Sequence, residues 1–119
     1  MMLAEAAEWL SAQTLEHLSV PVLYRARVGE AFEARAVIGS TVYEAADGGG
    51  MIVRTETRDF IIPASLLPLE PSRGDCVVWQ GTVYEVLAPD GSPCWRWSDG
   101  FHTMKRIHTK ETGREDEDG

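Results

Sequence analysis

Cysteine and histidine are the residues of this sequence most able to do chemistry. Cys94, His102 and His108 offer a thiolate and two imidazoles, which are zinc ligand types. A closed zinc site needs four ligands, and no CxxC or HxxxH pair is present to set local geometry. Cys94 is therefore expected to be a buried thiol beside Trp95 or Trp97. A Cys/His hydrolase would need a base-activated nucleophile and a third orienting group. The serines and aspartates instead fall in turn-like stretches without a GxSxG elbow. Gly48, Gly49 and Gly50 lack the GK[ST] ending of a phosphate loop and precede a strand pattern, so they read as a hairpin tip. The expectation is a protein that is not an enzyme and has no catalytic residue, no cofactor and no metal.

Residues 95–110 carry four bases against one acid, with Trp95, Trp97 and Phe101 interleaved. Basic and aromatic residues together bind single-stranded nucleic acid or form protein interfaces, where Trp and Arg are hot-spot residues. On a strand, Trp95 and Trp97 share one face and Arg96 lies on the other. In the same way Arg106, His108 and Lys110 oppose Lys105, Ile107 and Thr109. The tryptophans divide between core and partner surface in this reading, and the face of Arg106, His108 and Lys110 points outward. Candidate partner contacts are thus Trp95, Arg96, Trp97, Lys105, Arg106, His108 and Lys110, together with the glycine loop of Asp47, Gly48, Gly49 and Gly50.

These residues must be positioned by short strands. Residues 22–28 alternate Val22, Tyr24, Ala26 and Val28 with Leu23, Arg25 and Arg27, and Phe32, Ala34, Ala36 and Ile38 repeat the pattern. Residues 41–45 and 51–57 form a hairpin across the glycine loop, residues 60–62 are a short apolar run, and residues 64–67 are a helical turn. Pro68, Pro71 and Gly74 make a rigid loop. Residues 76–79 and 82–87 flank Gln80-Gly81 as a second hairpin, and residues 94–97 and 104–109 form a last strand pair. Thr-Val-Tyr-Glu occurs at both 41–44 and 82–85, and reads as two strands entering turns rather than a duplication.

Ahead of the strands, Leu3, Ala6, Ala7, Leu10, Thr14 and Leu18 recur at helical spacing. They predict an amphipathic helix whose Leu3, Leu10 and Leu18 stripe packs on the strands. The expected fold is mainly β: a small antiparallel β-sandwich or barrel of six to eight strands with an N-terminal α-helix. Residues 1–19 form the helix or arm and residues 20–112 the β domain. Residues 113–119 form a disordered acidic tail, because they hold no apolar side chain to offset ordering entropy.

Composition narrows the function. The chain has 119 residues, 44% hydrophobic and 25% charged, as in one globular domain. With 11 Lys plus Arg against 19 Asp plus Glu, its net charge is −8, which excludes a general nucleic-acid binder. No apolar run reaches the roughly 18 residues of a membrane span. Glu5 and Glu8 stand where a secretory signal would need a basic lead-in. No membrane partner is expected, and Cys76 and Cys94 are expected to stay reduced.

The order of several motifs resembles the head-tail joining, or head completion, proteins of long-tailed bacteriophages and prophages. Over residues 22–113 these are Tyr24 and Arg25 in an alternating strand, then Arg58-Asp-Phe-Ile-Ile leading to Ala64-Ser-Leu-Leu. The loop Pro71-Ser-Arg-Gly-Asp75 and the hairpin ending Gly81-Thr-Val-Tyr-Glu-Val come next. Cys94-Trp-Arg-Trp-Ser-Asp before Arg106-Ile-His-Thr-Lys completes the set. The resemblance implies a β-sandwich or barrel that forms a ring at the vertex of the filled capsid and receives the tail, with no catalytic residue. Implied partners are the portal or head-tail adaptor ring, the tail-terminator or tail-tube protein, and copies of the chain itself. The implied location is the bacterial host cytoplasm during assembly, then the virion head-tail junction. The long Arg106-Ile-His-Thr-Lys strand and the acidic tail depart from some family members. A subunit of charge −8 would repel DNA, so no specific nucleic acid is expected. The alternative is a small β-barrel binding module for nucleic acid or another ligand, using Trp95, Arg96, Trp97, Arg106 and Lys110.

Overall fold

Alternating apolar residues in short runs can bury one face only by pairing, and the pairings here close on themselves. The computed structural model describes residues 18–46, 48–89 and 92–115. Among these residues seven strands occur in the order β1 (Val20–Arg25), β2 (Ala31–Ala46), β3 (Ile52–Pro63), β4 (Cys76–Trp79), β5 (Thr82–Val86), β6 (Trp95–Trp97) and β7 (Met104–Arg114). A single 3-10 turn, Ala64–Leu66, follows β3. All pairings are antiparallel, in the order β3-β2-β1-β4-β5-β7-β6. β3 also pairs with β7, from Arg58↔Thr109 to Pro63↔Met104. The sheet therefore closes into a barrel, and β6 flanks it on the edge of β7 left open beyond the end of β5.

The even-numbered positions of β1, of β2 up to Ile38 and of β3 from Phe60 onward point inward. Val22, Tyr24, Ala34, Ala36, Phe60 and Ile62 are buried, and meet Val77, Tyr84, Val86, Ile107 and Leu67 in one core. Phe60 packs edge-on against Tyr84, with ring centroids 5.1 Å apart. One end of the barrel is tied by Asp75, which accepts from the Tyr24 hydroxyl (2.5 Å), Arg27 N–H (2.8 Å) and Ser72 N–H (3.0 Å). Burial, then the Asp75 bond, raise the Tyr24 pKa above its ordinary value. The Pro71-Ser-Arg-Gly-Asp75 loop is thereby stitched to β1. Gly74 permits its bend, with φ +93° and Arg27 Cδ only 2.9 Å from where a Cβ would stand.

Several boundaries differ from the sequence expectation. The runs at 32–38 and 41–45 are one strand, as are 51–57 and 60–62, because Gly39, Ser40, Arg58 and Asp59 stay in register across β2 and β3. Val28 is not a strand residue. β1 stops at Arg25, and a turn closed by Gly29 N–H on the Ala26 carbonyl leaves Val28 84% exposed. The tail does not begin at residue 113: Gly113 and Arg114 pair with Val83 and Thr82, and Glu115 donates its N–H to the Gly81 carbonyl. Backbone pairing supplies what apolar side chains do not.

The helix expected over residues 2–18 lies outside the described residues except for Leu18, and no α-helical element among the described residues supports it. Leu18 itself is 65% exposed rather than packed on the barrel. Residues 116–119 also lie outside the described residues.

Candidate partner-binding surface

β2 and β3 outrun the barrel. β1 covers β2 only as far as Ala36, and β7 covers β3 only from Arg58. Above these points residues 42–46 and 52–56 form a two-stranded ribbon, about 17 Å long at ~3.4 Å per residue, with both edges unpaired among the described residues. The ribbon carries Val42, Met51, Ile52 and Val53, each between 45% and 68% exposed. Its polar cross-strand contact is Arg54 Nε to Glu44 at 3.4 Å. Gly48 and Gly50 take φ of +88° and +89° at the tip, a conformation that glycine adopts without steric cost. Asp47 lies outside the described residues.

At its base the ribbon is anchored by a polar cluster on the outer side of the barrel wall. Asp59 is fully buried and stands directly opposite His108 in the β3–β7 pairing. Its Oδ1 accepts from Thr57 Oγ1 (2.7 Å) and His108 Nδ1 (2.9 Å). Its Oδ2 accepts from the Thr41 hydroxyl and from Arg106 Nε (2.7 Å). Burial by itself would raise the Asp59 pKa. The hydrogen bonds from His108, Thr41, Thr57 and Arg106 outweigh it and hold the carboxyl well below the usual carboxylate range. An ionised Asp59 can only accept, so His108 carries its proton on Nδ1. The Tyr43 hydroxyl then closes the chain, 3.0 Å from His108 Nε2. Arg106 reaches on to the Ser40 carbonyl at 3.0 Å, crossing Gly39, where a Cβ would stand 3.1 Å from its Nη2. The cluster locks β2, β3 and β7 together.

The β6–β7 hairpin is the second surface. Lys105 is buried and donates Nζ to the carbonyls of Leu67 (3.0 Å) and Leu69 (2.8 Å), with the Trp95 and Trp97 rings 5.4 and 5.9 Å away. Burial lowers its pKa. Asp99 accepts from Thr103 N–H (2.9 Å), Thr103 Oγ1 (2.6 Å) and Met104 N–H (3.1 Å), which fixes the tip. There Trp97 stacks on His102, with centroids 4.6 Å apart, and Phe101 is exposed.

A family model described as phage head-tail joining protein matches residues 1–116. The chain belongs to that family. It is thus a structural component of phage virion assembly that works with other head and tail proteins. No curated protein matches the sequence. Among the described residues, no helix is long and apolar enough to cross a membrane, and no group of three His, Cys, Asp or Glu is placed to hold a metal. Cys76 and Cys94 are free thiols, half-buried rather than buried.

In this joining protein the candidate contact residues fall into three places. Gly48, Gly49 and Gly50 are exposed at the ribbon tip. Arg96 and Lys110 are exposed on the barrel wall, and Trp95 and Trp97 are half-buried. Lys105 and His108 are buried and Arg106 is mostly covered: Arg106 and His108 lie on the outer side of the wall but are bound to Asp59, and Lys105 is bound to the Leu67 and Leu69 carbonyls. Sequence reasoning missed Tyr43, Thr41, Thr57 and Asp59. The available signal was Asp59 between Arg58 and Phe60-Ile-Ile: a lone carboxylate on a barrel strand implies a buried partner.

Proposed function

We propose that the chain joins the phage head to the tail as a subunit of a ring, seated between the portal or adaptor ring and the tail-terminator or tail-tube protein. The observation that carries the reading is the ribbon of residues 42–46 and 52–56, a two-edged sheet fragment with exposed apolar side chains, tied at its base by the Asp59 cluster. Open strand edges with apolar side chains are templates for pairing with another protein. A heterologous contact between identical copies closes into a ring when its rotation closes. A ring of sixfold or twelvefold symmetry on the portal complex fits this role, with the isolated chain monomeric or weakly associated. The chain acts in the host cytoplasm during assembly and remains at the head-tail junction. The acidic composition matches a scaffold beside DNA rather than a binder of it.

The nucleic-acid alternative rests on Trp95, Trp97 and their basic neighbours. One face of Trp97 already stacks on His102, and Trp95 packs edge-on against Trp97 at 5.1 Å. That leaves a poor platform for stacked bases.

Deletion of the gene from its phage or prophage tests the reading. The expected particles are filled heads and free tails, seen by electron microscopy, with joining restored by adding the purified protein. Joined, infectious particles from the deletion strain would refute the assignment.

A further inference from the structure

On the outer wall of the barrel, between the ribbon base and the chain leading into β6, lies a cleft of about 240 Å³. Tyr43 and His108 line one part of it, Pro93 and Trp95 another, and Ser92 and Arg96 bring polar groups to it. Arg96 stands directly opposite Arg106 in the β6–β7 pairing. Like charges placed so are unfavourable unless each finds a counter-ion. Arg106 has Asp59, whereas Arg96 makes no hydrogen bond or ion pair among the described residues. Among the described residues the cleft therefore holds one unmatched guanidinium and a hydroxyl against an aromatic wall. That chemistry takes a carboxylate, which an arginine grips in two parallel hydrogen bonds.

We propose that the cleft receives the acidic run of residues 116–118 from a second copy of the chain. The longest unbroken run of acids in the sequence is Glu115, Asp116, Glu117 and Asp118, so this segment has the strongest complementary charge. Glu115 is held in its own copy by Arg25 at 2.7 Å and by the Gly81 carbonyl. β7 runs six residues beyond His108 to Arg114, a separation of about 20 Å, and Glu115 follows it. The backbone of the three acids 116–118 spans at most ~11 Å. That backbone span covers only about half of the way back to the cleft of the same copy, which favours the cleft of a neighbour. The inference rests on the ring reading above, and assigns one contact within that ring.

Two arms test it. In the first, a fluorescein-labelled peptide of residues 111–119 is titrated by anisotropy into the full chain at low salt. Arg96→Glu is expected to weaken binding at least tenfold. A peptide carrying Asp116→Lys, Glu117→Lys and Asp118→Lys is expected to bind the Arg96→Glu chain better than the original chain. Equal binding to both chains, or no binding at low salt, overturns the proposal. So does a single-stranded oligonucleotide that displaces the peptide and loses its own affinity with Arg96→Glu. In the second arm, phage carrying Arg96→Glu is expected to release unjoined heads, with joining regained when the three lysine substitutions are added to the same gene. Absence of that rescue overturns the proposal. Joined particles without the gene would instead remove the ring reading, leaving the peptide arm to judge the cleft alone.

Discussion

β2 and β3 are paired over ten residues on each strand, from Val37↔Ile61 to Ala46↔Ile52, and the two halves of that pairing live in different surroundings. In the lower half, Phe60 and Ile38 face the core while Thr41, Thr57 and Asp59 face a buried polar cluster. In the upper half, Val42, Ile52 and Val53 are exposed and, among the described residues, the edges are open. A two-stranded hairpin on its own is marginal in water, so the ribbon depends on the barrel to hold its base. The barrel in turn gains little from the ribbon, since apolar residues in water contribute nothing to a core. Stability and partner contact are therefore separated along the same pair of strands. Breaking the lower half should unfold the protein, and altering the upper half should leave a folded protein unable to assemble.

The largest contrast is expected from Phe60→Ala, which removes a fully buried ring at the centre of the core. A loss of about 3–5 kcal/mol in denaturant unfolding is expected. Asp59→Asn should follow, at about 3 kcal/mol, because it leaves Arg106 and His108 without the buried carboxylate they face. The same residue sets an acid limb. The pKa of Asp59 is depressed in the fold, so its stabilisation is fully present above the unfolded value, about pH 4, and is lost as pH falls through the folded value. Thermal melts from pH 7 to pH 2 should show a steeper acid loss for the original chain than for Asp59→Asn.

Tyr43→Phe removes one hydrogen bond to His108 and should cost about 1 kcal/mol. Smallest in stability is Ile52→Ser at the ribbon, expected within about 0.5 kcal/mol. Its effect should be seen instead in assembly, as a fall in joined particles from phage carrying it. A stability loss as large as that of Phe60→Ala would show that the ribbon is part of the core, and unchanged joining would show that its apolar face has no partner.

Strand positions were legible because alternation is local. The period of Val22 and Tyr24, or of Ala34 and Ala36, records which face is inward before any partner is known. The opposition of Trp95 and Trp97 to Arg96 came from the same period, and the pairing of Arg96 with Arg106 bears it out. The continuity of β2 through Gly39-Ser40 was not legible. In isolation those residues read as a break, and they stay in the strand because β3 pairs across them and Arg106 lies over Gly39. The family resemblance rested on motif order, and its loop at residues 71–75 has a physical basis in the bonds that Asp75 makes to Tyr24, Arg27 and Ser72.

Composition, periodicity and turn residues were enough to determine a mainly β chain of six to eight strands with a net acidic charge, because each is a property of neighbouring residues. Whether the sheet stayed open or closed depended on β3 meeting β7. That contact brings together segments 49 residues apart, as Asp59 and His108 show. Closure turned His108 and Lys105 from candidate surface residues into buried ones, and gave Asp59 its donors from β2 and β7. It also placed Arg96 opposite Arg106, with no carboxylate on it among the described residues. No local pattern carries that information, since desolvation and hydrogen bonding at one atom depend on every strand packed around it.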